Sequence, residues 1–218
     1  MKVSEIELIK RIRFMTSHPK DFPEKLLDTI AGNEKICKHI HLPLQSGNDR
    51  ILKLMNRGYS SKDYLKLIES IRSKLPDVVL STDIIAGFPS ESQTEFQETY
   101  NLMKTVEFDF AFIFKYSERT GTNAAKNYKD DISEEEKSLR LVKLNELQNE
   151  VSLKRNKANI GKTQEILIEM DFTKKSKTDV QGRNDGSKIV ICPNRGFKAG
   201  DFVKVKIIDA TSKVLIAG

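Results

Sequence analysis

The chain has 218 residues, 38% hydrophobic and 31% charged, with 11 Gly and 6 Pro; that is too apolar for a disordered chain and too varied for a fibrous one. No apolar run approaches the ~20 residues of a membrane-crossing helix, and Met1-Lys2-Val3-Ser4-Glu5 lacks the apolar core of a secretory signal, so a cytoplasmic protein without a membrane partner is expected. Cys37 and Cys192 form no C-x-x-C pair, which excludes a disulfide framework and an all-cysteine zinc or iron–sulfur site from this chain alone.

The net charge of +6 is unevenly spread. Residues 1–155 carry 25 basic and 24 acidic side chains, whereas residues 156–218 carry 12 and 7. A positive balance concentrated on a small module points to a polyanion, with solubility charge as the alternative.

In chain order, a strand is expected at Arg11–Met15, then a helix capped by Asp21 with Pro23 in its first turn and Gly32 after its end. A strand at Lys38–Leu42 leads through Pro43-Leu44-Gln45-Ser46-Gly47 into a helix that stops near Gly58. The next helix opens at Ser60 or Ser61 and aligns Tyr64, Ile68, Ile71 and Leu75 on one face. A strand over Val78–Ile85 is broken by Gly87-Phe88-Pro89. It precedes a helix bearing Phe96, Tyr100 and Met103, and a strand at Phe108–Phe114. Ser133 and Glu136 form a capping box that opens a long helix to about Arg155.

Four β-then-α units predict a parallel sheet with right-handed crossovers, whose chemistry sits at the carboxyl ends of the strands. Four units cannot close a barrel of eight, so residues 1–157 read as an open sheet or a piece of a larger (β/α) barrel. Beyond the boundary near 157/158, short β-rich runs at 163–170, 178–184, 187–192, 201–209 and 213–217 predict a small five-stranded OB-like barrel over 158–218.

His39 and His41 alternate onto one strand face and, with His18 and Asp83, could hold a divalent metal for hydrolysis; hydrogen-bonded core histidines are the alternative. Gln45-Ser46-Gly47 before a helix could hold a hydroxyl-rich or anionic ligand, or be a turn with a serine cap. Asp83 inside an apolar strand calls for a partner or ligand, and Arg119 could bind a carboxylate or phosphate. In the tail, Lys162, Lys174, Lys175, Lys177, Arg183, Lys188, Arg195, Lys198, Lys204 and Lys206 are the candidate phosphate contacts, and alternation makes Phe202 a core residue.

The blocks RIRFMTSHP (Arg11–Pro19), HIHLPLQSGNDRILKLMNRG (His39–Gly58), TDIIAGFP (Thr82–Pro89) and YSERTGTNAA (Tyr116–Ala125) resemble the radical S-adenosylmethionine methylthiotransferases, most closely the tRNA-modifying MiaB type. The tail resembles the RNA-binding TRAM domain. Asn123 stands where that family usually has Pro. The amino-terminal cluster domain and the C-x3-C-x2-C loop of the family are not in this sequence.

The resemblance implies a carboxyl-terminal portion of a larger enzyme, partnered by the missing amino-terminal domains and inactive alone, with Cys37 a structural thiol. The complete enzyme would use S-adenosylmethionine and two [4Fe-4S] clusters to methylthiolate an isopentenylated adenosine beside the anticodon. No cofactor is expected to bind this chain tightly, and the tRNA anticodon stem–loop would be its partner. Gln45, Ser46 and Asp83 would hold the ribose or methionine parts of the cofactor, and Arg119 or Arg50 its carboxylate. Gly87 and Phe88 would pack near its adenine, with His41 and His18 lining the same cavity. A metal-dependent hydrolase and a non-enzymatic RNA-binding adaptor are the competing readings.

Overall fold

The computed structural model describes residues 2–15, 18–173 and 176–218; Ser17, Lys174 and Lys175 lie outside the described residues. Met1–Arg13, Asn33–His39 and Asn149–Gly218 form one compact unit, and Phe14–Gly32 with Ile40–Gln148 form the other.

The second unit is built on a three-stranded sheet of β1 (His39–His41), β2 (Val79–Ala86) and β3 (Phe110–Lys115), in the order β1-β2-β3. In β2 the first four residues, Val79 to Thr82, are buried without alternation, as a strand covered on both faces requires. β2 and β3 are parallel, with Asp83 opposite Phe112. Just past β1, the Leu42 and Gln45 amides donate to the Ser81 and Asp83 carbonyls, which extends the pairing of this segment along β2.

The helices follow their caps. α2 (Asp49–Leu54) starts at Asn48, whose side chain accepts from the Ile51 amide. α3 (Ser61–Lys74) and α4 (Gln93–Val106) open with reciprocal boxes, Ser60 with Asp63 and Ser92 with Glu95. α3 buries Tyr64, Ile68 and Ile71, and the Tyr64 hydroxyl donates to the Leu42 carbonyl at 2.7 Å. α4 buries Phe96 and Met103 as expected, but Thr99 takes the inner position and leaves Tyr100 half-buried. Thr99 Oγ1 accepts from the Gly47 amide, a bond that Tyr at that position could not make. A short helix α5 (Asn123–Asn127) precedes α6 (Glu134–Lys157), where the Glu136 amide donates to Ser133 Oγ.

Two expectations near the start are corrected. Arg11–Met15 is not a strand: it makes one isolated parallel bridge, Ile12 to Ile36, so the sheet has three strands rather than four. Arg11 and Arg13 donate from their guanidinium groups to the Arg183 carbonyl and to Ser187 Oγ, within the same compact unit. α1 (Glu24–Ala31) is capped by Pro23 without a side-chain bond, since Asp21 ends a separate 3-10 turn at Pro19–Asp21.

The tail is a closed barrel of β4 (Thr163–Met170), β5 (Asp179–Asn184), β6 (Ile189–Pro193), β7 (Phe202–Ala210) and β8 (Leu215–Ala217), ordered β4-β5-β6-β8-β7. Closure leaves no open sheet edge. Ile166, Ile168, Val180, Val190, Ile207 and Leu215 fill its core. Phe202 is not in that core. Val205 and Ile207 set the inward phase of β7, which turns Phe202 outward beneath Lys10 and Arg11, the Arg11 guanidinium 5.0 Å from its ring centre.

Candidate active-site cleft

The carboxyl ends of β2 and β3 open into a cleft of about 570 Å³, the size of a small-molecule site. Asp83, Gln45, Arg57 and Arg119 supply its polar groups, and Ile85, Phe88, Phe114 and Tyr116 much of its apolar wall.

Asp83 owes its position to the register of β2 and its orientation to His41. The buried imidazole shares a 2.9 Å hydrogen bond with Ser81 Oγ through Nδ1 and sits 3.3 Å from Asp83 Oδ2 through Nε2. The Asp83 side chain is 30% exposed and lines the cleft. Gln45 adopts φ +70 and is locked there by two backbone bonds to β2, its amide to the Asp83 carbonyl and the Ile85 amide to its own carbonyl.

Of the Gly87-Phe88 turn, Phe88 lines the cleft and Gly87 does not. Gly87 has φ +74, and a Cβ there would meet Lys137 Cγ at 2.5 Å, so only glycine fits. Its amide donates to Glu91 Oε2 at 2.8 Å, and Arg140 Nη1 donates to the same oxygen and to the Glu91 carbonyl. Burial pushes the Glu91 carboxyl up against the opposing pull of Gly87 and Arg140. Phe88 packs edge-on to Tyr116 at 5.1 Å and to Tyr128 at 6.0 Å.

Five sequence expectations fall elsewhere: His41 and Gly87 are not among the lining residues, and neither are Arg50, Ser46 and His18. Arg50 lies outside the cleft lining and spends its fork on Glu95, with Nη2 to Oε2 at 2.7 Å and to the Ser90 carbonyl at 2.7 Å. Its hydrogen bond holds the Glu95 carboxyl down at about 2. Ser46 is fully buried and serves the turn, sharing a hydrogen bond with Thr99 Oγ1 and accepting one from the Asn48 amide. His18 is not part of the lining; it caps the 3-10 turn through Nδ1 and meets the Tyr59 ring edge-on at 5.2 Å.

Arg57 is the cleft residue that sequence reasoning missed. α2 ends in a Schellman motif two residues earlier than expected: Asn56 takes the left-handed position at φ 56, the Asn56 amide bonds the Lys53 carbonyl and the Arg57 amide bonds Leu52. That fixes the Arg57 backbone at the cleft rim. Its Nε is buried without a hydrogen-bond partner, a condition that costs about 1–3 kcal/mol. The signal available in the sequence was Asn56, the residue other than glycine most at ease in that conformation.

Among the described residues, no group of three or more His, Cys, Asp or Glu is placed to hold a metal ion, so His18, His39, His41 and Asp83 do not assemble as the hydrolase reading requires. Cys37 and Cys192 are both buried and free. Burial and then Asp185 push the Cys37 thiol up to about 11, and burial also raises Cys192. Two protonated, buried thiols do not fit a [4Fe-4S] cluster, which is held by several thiolates.

On the barrel, Lys162, Arg195, Lys198 and Lys204 are exposed as a phosphate surface needs. Lys188 is buried instead, its Nζ donating to Asn156 Oδ1 at 2.7 Å, which removes it from the candidate phosphate contacts. Arg183 is half-buried and engaged with Glu169 and the Ser187 carbonyl.

Residues 1–103 match the family model of the Radical SAM superfamily, and residues 157–218 match that of the TRAM domain. The fold of coproporphyrinogen III oxidase from Escherichia coli, a radical SAM enzyme, matches with a TM-score of 0.53 at 20% identity, over 66% of this chain and 32% of that one. More particularly, the chain is similar to tRNA-2-methylthio-N(6)-dimethylallyladenosine synthases. Identity is 50% over 205 residues with the Parabacteroides distasonis protein, covering 94% of this chain and 45% of that protein. It is 48% over 206 residues with the Chlorobium phaeobacteroides protein (94% and 46%) and 46% over 211 with the Clostridium botulinum protein (97% and 46%). The chain thus spans just under half the length of these relatives.

Proposed function

We propose that the chain is the carboxyl-terminal portion of a tRNA methylthiotransferase of this type, contributing part of a (β/α) barrel over residues 1–157 and an RNA-binding barrel over 158–218. The observation that carries the reading is 50% identity to a synthase over 94% of the chain, joined to a strand-end cleft with convergent polar groups.

In this reading the cleft receives S-adenosylmethionine. Asp83, oriented by His41, accepts from the ribose hydroxyls; the Gln45 amide bonds the methionine part; Phe88 and the Gly87 turn flank the adenine. Arg119 at the other lip reaches the carboxylate end. The exposed cations of the TRAM domain grip the anticodon stem–loop of a cytoplasmic tRNA through its phosphates. The cluster cysteines belong to the rest of the enzyme, so the isolated chain is inactive. A non-enzymatic RNA-binding adaptor would need no ligand in the cleft, and titration with S-adenosylhomocysteine separates the two readings.

Joined behind the amino-terminal half of the Parabacteroides distasonis relative, the chain should restore methylthiolated adenosine in the tRNA of a synthase-deficient strain, measured by nucleoside mass spectrometry. Asp83→Asn in that fusion should lower the yield at least about tenfold. A folded, cluster-bearing fusion that yields no methylthiolated nucleoside overturns the proposal.

A further inference from the structure

We propose that Phe172, with the cations gathered beside it at one end of the tail barrel, stacks an unpaired base of the bound RNA. This rests on the reading of the tail as an RNA-binding module and goes beyond it, from contact with phosphates to contact with a base.

Three observations support it. First, Phe172, just past β4, is 57% exposed. The other phenylalanines of the tail are covered: Phe197 packs against the barrel core, and Phe202 lies beneath Lys10 and Arg11. An uncovered ring keeps its apolar face available to a partner.

Second, two hydrogen bonds bring the ring and three cations to the same end of the barrel. The Ala199 amide donates to Asp171 Oδ1 at 2.7 Å, so Phe172 and Lys198 each stand one residue from a shared bond. The Asn194 amide donates to the Thr178 carbonyl at 2.8 Å, which places Lys177 and Arg195 in the same way. Between these two ties the Thr173 amide donates to the Ser176 carbonyl at 2.9 Å.

Third, Lys177, Arg195 and Lys198 are exposed, and no ion pair among the described residues holds them. The carboxylates of Asp171 and Asp201 accept instead from the Ala199 and Lys198 backbone amides. A bare aromatic face among unpaired cations suits a molecule with flat π faces on an anionic backbone, which is single-stranded RNA. A second copy packed two-fold on this end would set the same cations against each other.

The test uses the whole chain with an anticodon stem–loop RNA and a fully paired duplex of the same stem. Phe172→Ala should weaken stem–loop binding about tenfold. It should leave duplex binding and the salt slope unchanged, because no phosphate contact is removed. The chain has no tryptophan, so Phe172→Trp introduces a single fluorophore; it should keep the affinity and be quenched by the stem–loop but not by the duplex.

Wild-type affinity in F172A, or a tryptophan that the stem–loop leaves unquenched, overturns the stacking site. If Lys198→Ala still reduces the salt slope in that case, the RNA-binding reading stands without it. A wild-type chain that binds neither RNA overturns both. Sedimentation showing a dimer that F172A dissociates would give the ring to a second copy and also overturn the proposal.

Discussion

Arg140 of α6 and Glu91 behind the cleft turn form a buried ion pair, Nη1 to Oε2 at 2.8 Å, with 5% and 1% of their side chains exposed. The same carboxylate oxygen takes the Gly87 amide, so the pair holds the wall of the cleft as well as itself. Glu136 braces Arg140 from one turn earlier at 2.8 Å, and Lys137 beside it reaches Asp130 and Glu134. Two buried cations of one helix therefore back the Gly87-Phe88 turn.

Removing one partner should be worse than removing both. Arg140→Met leaves Glu91 charged in a dry site and should cost about 3–5 kcal/mol in urea denaturation. The double variant Glu91→Gln with Arg140→Met should recover most of that loss. Equal losses in the single and double variants would show that packing, not charge, sets the cost.

Gly87→Ala combines a left-handed backbone with a methyl aimed at Lys137. The backbone alone costs about 1–2 kcal/mol, and displacing the Lys137 stem adds overpacking of about 1–3 kcal/mol. Thermal melts should register the sum, and S-adenosylhomocysteine affinity should fall with it because Phe88 moves with the turn.

The Glu95 carboxyl is held at about 2 in the fold against an ordinary 4.5, chiefly by Arg50. A depressed carboxylate contributes stability above its unfolded value and loses it as pH falls through the folded one, here from about 4.5 down to about 2. Because Arg50 is half exposed, screening limits the contribution to about 1 kcal/mol. Glu95→Gln should flatten that part of the acid limb in denaturation between pH 5 and 2; an unchanged limb would show that the pair is energetically silent.

Exposed and buried lysines of the barrel should separate cleanly. Lys198→Ala with Lys204→Ala should weaken stem–loop RNA binding and reduce the salt slope by about 0.7 for each phosphate no longer neutralised. Lys188→Met should leave the slope alone and instead cost about 1–3 kcal/mol, since Asn156 Oδ1 is deprived of its buried donor. A slope change in the Lys188 variant would place that residue at the RNA after all.

Periodicity, capping residues and turn chemistry were local, and they sufficed for most of the architecture. The Ser133 cap of the long helix, the helix face of Tyr64, Ile68 and Ile71, and the five short runs of the tail all appear in the structure close to their expected bounds, although Glu136 turns its carboxylate to Arg140 instead of closing the box. So was the placement of Gln45 in the loop after β1 and of Asp83 in the carboxyl half of β2, beside the cleft, because a β-to-α alternation dictates where loops converge. What a side chain faces is not local. Arg50 and Arg57 are equally cationic and lie on the same helix or just past it. One meets Glu95 from α4 and is consumed; the other emerges from a Schellman turn into the cleft with its Nε open. Lys188 looked like a phosphate contact until Asn156, 32 residues earlier, proved to be its partner. Composition and spacing determined which groups the molecule owns and which elements carry them; only packing decided which were left free for a ligand, because pairing depends on distances between segments remote in the chain.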